Sequence, residues 1–448
     1  MNLYSKLLER QEKGQPVRVG LIGAGKFGTM FISQVRRTPG MHLVAVSDLD
    51  PEKAAKTMIN TGWPSEQTKA ASVEEALKKG NTFITDDSSE VISDGRIDVI
   101  IEATGIPSVG INHALECFQE GKHVVMVNVE GDALAGPLLA RKAEEAGVIY
   151  SLAYGDQPAL IAEQVDWART CGIDVIAAGK GTKYLPEYHY STPDTVWDYY
   201  GLTAEQARIG GMNPKMFNSF LDGTKSAIEM AAVSNATGLL PPSKGLQFLP
   251  CGVHDLANVL KPVEDGGSLE RKGTVEVLSS LTREGEEVPG DLRWGVYVSF
   301  EAPSEYVKRC FAEYGLVTDS TGRYSALYRP YHLIGLELGI SVASIALRKE
   351  PTGCATGFRG DVVAIAKKDL FPGDVLDGEG GFTVWGKLCP ASESLSGGLL
   401  PLGLAQGINV IRSVPKGSPL SWQDVAFDPE DVTVRTRKEM EKLFAGSM

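Results

Sequence analysis

The stretch Val17-Arg-Val-Gly-Leu-Ile-Gly-Ala-Gly-Lys-Phe-Gly28 decides how the first third of the chain is read. An apolar run, the mark of a buried strand, ends in Gly23-Ala24-Gly25-Lys26-Phe27-Gly28, which has the spacing G-x-G-x-x-G. A helix-compatible segment follows. A second apolar run, Leu43-Val-Ala-Val-Ser, then ends in Asp48, 25 residues after Gly23. Gly23 allows the tight strand-to-helix turn, Gly25 lets backbone approach a pyrophosphate, and Gly28 lets helix and strand pack closely. The helix N-terminus offers free N–H groups and a positive dipole to phosphates. Asp48 stands where a ribose-binding carboxylate is expected. The stretch therefore predicts a dinucleotide site formed by Gly23, Gly25, Lys26, Phe27, Gly28 and Asp48, with Thr104 and Gly105 of a neighbouring loop. A carboxylate at Asp48 repels a 2′-phosphate and favours NAD, and Lys53 one turn into the next helix could partly offset it.

Apolar strands and helices alternate outward from this unit. Strands are expected at Val17–Ile22, Leu43–Ser47, Val99–Ala103, Val124–Val127 and Val148–Leu152, with a short one at Phe83–Asp86. Helices are expected at Pro51–Asn60, Ile111–Gln119 and Pro137–Ala146. This alternation implies a parallel sheet covered on both faces, with its ligand crevice at the carboxyl ends of the strands. Gly23–Gly28, Asp48, Ala103–Pro107 and Asn128–Gly131 are the crevice loops.

The 448 residues exceed one typical domain, and 43% hydrophobic with 23% charged residues is ordinary for a soluble globular protein. A net charge of −13 argues against nucleic acid as a partner. The six cysteines (Cys117, Cys171, Cys251, Cys310, Cys354 and Cys389) are scattered without a C-x-x-C, which suggests neither a zinc site nor a disulfide framework and fits a reducing cytoplasm. Met1–Lys13 reads as a short amphipathic helix, not a signal peptide. No apolar run reaches the roughly 18 residues of a membrane span.

From Gly155 the texture changes. Gln157–Arg169 is expected as a helix and Asp174–Gly179 as a strand leading into a loop, Lys180-Gly181-Thr182-Lys183. Residues 185–224 are polar and aromatic without a clear period. A helix at Ser226–Ala236, a strand at Trp294–Phe300 and a helix at Tyr331–Leu347 complete an α+β segment. Beyond Gly357, punctuation by glycine and proline with strands at Asp361–Ala366, Phe382–Leu388, Asn409–Ser413 and Val432–Arg435 suggests a small β-rich domain.

Several local patterns carry a resemblance. Asp98-Val-Ile-Ile-Glu-Ala-Thr-Gly-Ile-Pro107 with Gly121-Lys-His-Val-Val125, and Asp222-Gly-Thr-Lys225 followed by Glu229, resemble the nucleotide and substrate regions of the homoserine dehydrogenase superfamily. Val362–Leu376 with Lys416–Val425 looks like an SAF domain, the small β-clip module of sialic acid synthases and antifreeze proteins. The three together resemble the 1-deoxy-D-xylulose 5-phosphate reductoisomerase-like family. The resemblance implies an α/β architecture in three domains: a doubly wound parallel Rossmann sheet (1–155), an α+β catalytic and dimerisation domain (156–356) and an SAF-like domain (357–448). It further implies a homodimer and NADPH, where Asp48 favours NADH. Two departures stand out. The lysine that homoserine dehydrogenases carry after the fourth main strand is replaced by Val127-Asn128-Val129-Glu130, and no compact acid motif matches the metal site of the usual reductoisomerase.

Hydride transfer needs a cation or proton donor to meet the developing alkoxide. The candidates are Lys180, Lys183, His189, Asp222, Lys225 and Glu229, with Arg329 and His332 in reserve. The expected activity is NAD(P)-dependent oxidoreduction of a small polyhydroxylated, phosphorylated carbonyl compound, in its sharpest form reductive isomerisation of 1-deoxy-D-xylulose 5-phosphate to 2-C-methyl-D-erythritol 4-phosphate. A sugar-acid dehydrogenase or oxidoisomerase, homoserine dehydrogenase and a non-catalytic nucleotide sensor are the alternatives.

Overall fold

The computed structural model describes residues 2–446, so Met1 of the expected leading helix and the last two residues of the expected third domain lie outside it. The chain forms two compact units, Met1–Leu160 with Leu333–Ala355, and Ile161–His332 with Thr356–Met448.

The first unit holds strands β1 (Val17–Ile22), β2 (Met41–Ser47), β3 (Phe83–Thr85), β4 (Val99–Glu102), β5 (His123–Met126) and β6 (Tyr150–Leu152). They form one sheet in the order β3-β2-β1-β4-β5-β6, and every pair is parallel. This is the doubly wound Rossmann order, whose direction reverses between β1 and β4 and opens a crevice there. Local chemistry sets the helices between the strands. Asp50 accepts from Lys53 N and Pro51 takes the first helical position of Pro51–Asn60. Ser72 caps Val73–Lys79, which stops at Gly80 in the left-handed region.

Two expectations change in this unit. The helix expected from Pro137 begins at Val129, because Asn128 caps it by accepting from Gly131 N, and Pro137 sits inside it. The Asn128–Gly131 crevice loop is therefore a helix start. The helix expected at Tyr331–Leu347 covers only Gly339–Arg348, and it packs in the first unit. Leu338, Val342, Ala343 and Ile345 join Val17, Leu21 and Val99 in one core. Tyr154 N donates to Ser341 Oγ at 2.8 Å within the same packing.

In the second unit β7 (Asp174–Thr182), β8 (Leu249–Pro250), β9 (Thr274–Ser279), β10 (Val296–Glu301) and β11 (Tyr324–Arg329) form a mixed sheet in the order β11-β10-β7-β9-β8. Every residue of β10 is buried, so the sheet has no free face at its centre; apolar exposure is confined to the edge strand β11, at Leu327 and Tyr328. The stretch expected to be irregular, 185–224, holds the short helices Val196–Tyr200, Ala204–Ile209 and Pro214–Leu221 around a cluster of Leu185, Tyr188, Val196, Trp197 and Leu221. At five to eight residues these helices are too short to show a period.

The C-terminal stretch adds β12 (Gly360–Ala366), β13 (Val375–Asp377), β14 (Val384–Pro390), β15 (Gln406–Val410) and β16 (Val425–Ala426), with β12 antiparallel to β14 and β15 between β13 and β16. The strand expected at Val432–Arg435 is instead the first turn of a helix, Val432–Phe444, capped by Asp431. That helix delivers Arg437 into the interior. Its guanidinium is wholly buried and donates to Asp361 at 2.5 and 3.0 Å and to Glu441 at 3.0 Å. Removing one partner of such a pair strands a buried charge and costs about 3–5 kcal/mol.

Candidate active site

The crevice loop of the first unit is built by its glycines. Gly23 has φ +96°, and a Cβ there would stand 2.7 Å from the Ala103 carbonyl oxygen and 3.0 Å from Thr104 N. A Cβ on Gly28 would overlap the carbonyl oxygen of Gly23. These two are fixed by the chain itself. Gly25 differs: no atom lies within 4 Å of a Cβ placed on it. Its surroundings are open, and it is the N-cap of the Lys26–Val35 helix, which has no side-chain cap. The first N–H groups of that helix are thus left to a ligand. At the end of β2 the half-buried Asp48 carboxylate accepts from Ala24 N through Oδ2 at 2.7 Å and from Asp50 N through Oδ1 at 3.1 Å. The acid is thereby locked to the glycine loop at the carboxyl end of β2. Across the crevice Thr104 donates to the buried Glu102 Oε1 at 2.5 Å, and the exposed Gly105 follows with φ +70°. Lys26 is exposed and Phe27 half-buried on the same rim. The open cradle at Gly25, the uncapped helix start and the anchored acid fit a nicotinamide dinucleotide.

The second unit divides the other candidates between two polar groups. Lys180 and Glu229 form the first. Lys180 Nζ donates to Glu229 Oε2, and both residues are buried, at 6% and 4% exposure. Lys180 lies within β7, not in a loop after it. The flanking glycines also have a different cause from the one expected. A Cβ on Gly179 would overlap the Glu276 carbonyl oxygen, and one on Gly181 the Leu292 carbonyl oxygen. Close chain packing requires them, rather than approach of a ligand. Lys183, just past the strand, is half-buried and donates to the Tyr199 carbonyl oxygen at 2.5 Å. Burial, aided by Arg293, lowers its pKa. Lys225 sits half-buried in the first turn of the Thr224–Thr237 helix, one turn before Glu229.

The second group contains Asp222 and His189. Asp222 is fully buried; Oδ1 accepts from Thr224 N at 2.9 Å and Oδ2 from Lys367 Nζ at 2.7 Å. Lys367 also donates to the carbonyl oxygens of Ser191 and Gly381. Burial raises the Asp222 pKa against the pull of this ammonium group. Asp222 and Lys367 thus tie the start of the Thr224–Thr237 helix to the end of β12. His189 Nδ1 donates to the Asp222 carbonyl oxygen at 2.7 Å, and Tyr184 Oη donates to Nε2 at 2.9 Å. Burial lowers its pKa to about 4, so the ring is neutral at pH 7 with both nitrogens engaged. Its face stacks on Trp385, centroids 3.8 Å apart. These contacts give Asp222 and His189 structural work. Of the reserve candidates, Arg329 ends the edge strand β11 and lies 5.4 Å over the Tyr331 ring, while His332 Nδ1 donates to the Trp294 carbonyl oxygen at 2.8 Å.

Two residues carry weight that no local motif announced. Lys367 lies 145 positions from its partner Asp222. Glu276 is wholly buried on β9, and its Oε1 accepts from Val277 N, Gln247 N and Phe248 N. A lone glutamate in an apolar run, Thr274-Val-Glu-Val-Leu278, was the available signal.

Residues 17–127 match the family described as oxidoreductase family, NAD-binding Rossmann fold (GFO/IDH/MocA), and residues 155–338 match the family described as oxidoreductase DRL, catalytic domain. The fold and these matches define the class: an NAD(P)-dependent oxidoreductase. More particularly, the first stretch is similar to a GFO/IDH/MocA-type cofactor domain and the second to a DRL-type catalytic domain. No curated protein matches the chain. Similar solved structures include a homoserine dehydrogenase from Thiobacillus denitrificans (TM-score 0.42, 15% identity, 74% of this chain and 74% of that one). A putative oxidoreductase, yvaA, from Bacillus subtilis has TM-score 0.35 and 12% identity over 75% of this chain and 89% of that one. A myo-inositol dehydrogenase from Lactobacillus casei, in complex with NAD(H) and myo-inositol, has TM-score 0.29 and 15% identity over 40% of this chain. The match spans half, 50%, of that dehydrogenase. Among the described residues no helix is long and apolar enough to cross a membrane.

Proposed function

We propose that this protein interconverts a small polyhydroxylated carbonyl compound and its alcohol with NAD(P), and that the compound is phosphorylated. The best instance is reductive isomerisation of 1-deoxy-D-xylulose 5-phosphate to 2-C-methyl-D-erythritol 4-phosphate. The observation that supports this most is the buried Lys180–Glu229 pair, held between β7 and the Thr224–Thr237 helix inside the segment matched by the DRL catalytic domain. A skeletal rearrangement requires a base at a substrate hydroxyl and a cation at the carbonyl oxygen, and this pair offers both in a site of low dielectric. The bound nicotinamide supplies the hydride. Glu229 takes the hydroxyl proton, and Lys180, freed from full neutralisation once Glu229 is protonated, stabilises the alkoxide. Lys183 and Lys225 meet the substrate phosphate. Three domains with limits near residues 155 and 356, the last SAF-like, and a homodimer belong to the same reading. The test is turnover of NADPH and NADH with 1-deoxy-D-xylulose 5-phosphate, with product identified by mass spectrometry, beside complementation of bacteria lacking the usual reductoisomerase. Absence of both activities in folded, cofactor-binding protein would reject the isomerisation.

A further inference from the structure

A cleft of about 330 Å³ opens within the second unit, lined on one side by Gly223, which precedes the Thr224–Thr237 helix, and by Ala227 within it, and on the other by β12 and β14. Its volume falls at the lower end of small-molecule sites, roughly 300–1,000 Å³. It is not the site of the Lys180–Glu229 pair. At 3.6 residues per turn Glu229 lies about 160° round the helix from Ala227, so pair and cleft occupy opposite faces. The helix is fixed against β12 and β14 at both ends: Gly386 N donates to Thr224 Oγ1 at 2.8 Å, and Asn235 Nδ2 donates to the Gly360 carbonyl oxygen at 3.1 Å.

The lining joins two lysines to a flat apolar wall. The exposed Lys244 and the half-buried Lys387 both line the cleft, and neither side chain makes a hydrogen bond or ion pair among the described residues. Trp385 lines it too, through its ring. The wall is rigid. His189 is locked by Tyr184 and Asp222 and stacks on Trp385, while Phe248 stacks on Tyr184 with centroids 3.9 Å apart. Leu246, Val363 and Ile365 complete the apolar side. The acid of the lining, Glu393, is exposed.

We infer that this cleft is a second small-molecule site, which takes a phosphomonoester carried on a flat apolar body. Two ammonium groups match the terminal oxygens of a phosphate dianion, and the Trp385–Phe248 wall matches a planar body. The inference stands independently of the proposed reaction, because it is read by binding to the full chain without cofactor. Phenyl phosphate is the probe and inorganic phosphate the control for charge alone, each titrated calorimetrically. Phenyl phosphate is expected to bind saturably and more tightly than inorganic phosphate. A charge-assisted bond in a partly desolvated site makes Lys387→Ala weaken it about tenfold. Glu393→Gln, a change on the exposed rim that leaves folding intact, tightens it, and Glu229→Gln leaves it unchanged. With 5-fluorotryptophan incorporated, the Trp385 resonance, assigned by Trp385→Phe, shifts on titration. No saturable binding of phenyl phosphate in the millimolar range overturns the inference. So does affinity indifferent to both Lys387→Ala and Glu393→Gln, or binding abolished by Glu229→Gln.

Discussion

Glu276 gives the sharpest test of the interior of the second unit. Burial pushes its carboxyl from an ordinary value near 4.5 up to about 7, even though Oε1 accepts three backbone N–H bonds, at 2.8 Å from Val277, 2.9 Å from Gln247 and 3.3 Å from Phe248. Oε2 has no partner among the described residues, so the charged form is under-compensated. The raised value fixes the sign. Below about pH 4.5 folded and unfolded chains both hold the proton; between there and about pH 7 only the folded chain does. This contribution is therefore complete at low pH, is lost as pH rises through about 7, and is then flat. The span from 4.5 to about 7 corresponds to about 3 kcal/mol. Glu276→Gln keeps an acceptor at Oε1 and cannot ionise. The variant should gain about 3 kcal/mol relative to wild type between roughly pH 4.5 and pH 8. Urea unfolding followed by tryptophan fluorescence measures it, since five of the six tryptophans lie in the second unit. The shift should appear as a change in midpoint at constant slope. A wild-type–variant difference that stays the same across that pH range would refute the argument. Because Gln247–Phe248 carries the wall residue Phe248 at φ +53°, a conformation unfavourable for an aromatic residue, the carboxylate also holds strained backbone in place.

Gly25→Val should reduce NAD(P) affinity by about two orders of magnitude or more, because the branched side chain fills the open cradle where pyrophosphate lies, with thermal stability near wild type; fluorescence titration of cofactor and a melting curve check both halves. Asp48→Ser should shift the ratio of NADPH to NADH use upward, measured as kcat/KM for each cofactor. An unchanged ratio would mean that Asp48 serves only to anchor Ala24. Glu229→Gln should lower kcat about a hundredfold with cofactor affinity retained, whereas Lys183→Ala should chiefly raise the apparent KM of a phosphorylated substrate. Light scattering at micromolar concentration should give a dimer, and Leu327→Lys with Tyr328→Lys on the exposed edge strand should shift it towards monomer.

The Rossmann sheet was legible because its strands are short apolar runs, several of them ending in a glycine loop or an acid, a signal confined to a few neighbouring residues. Where a cap or a distant partner decides, local reading fails. Val432-Thr-Val-Arg435 has the β-branched look of a strand, yet Asp431 caps a helix there and Arg437, two residues on, must reach Asp361. Pro137 looks like a helix start only while Asn128 goes unrecognised as the cap. The candidate site shows the same division. Gly23 and Gly28 do the packing jobs that their spacing announces, Gly25 has open space around it, and Asp48 is tied to the glycine loop through Ala24 N. His189 and Asp222 are instead occupied by Tyr184, Thr224 and Lys367, partners known only from the fold. The glycines around Lys180 serve Glu276 and Leu292, which come from segments about a hundred residues away.

The return of residues 333–355 to the first unit has a consequence for biosynthesis. A nascent chain released through residue 160 already carries all six strands of the nucleotide sheet, but not Leu338, Val342, Ala343 or Ile345, which close its core. Those side chains emerge only after the 172 residues from Ile161 to His332 have been made. During that interval the sheet presents unfilled apolar surface, and the intervening segment must begin to fold while tethered to an unfinished neighbour. Chaperone contact with the nascent polypeptide should therefore be strongest in this window and fall once Arg348 clears the ribosome, a timing that selective ribosome profiling can follow.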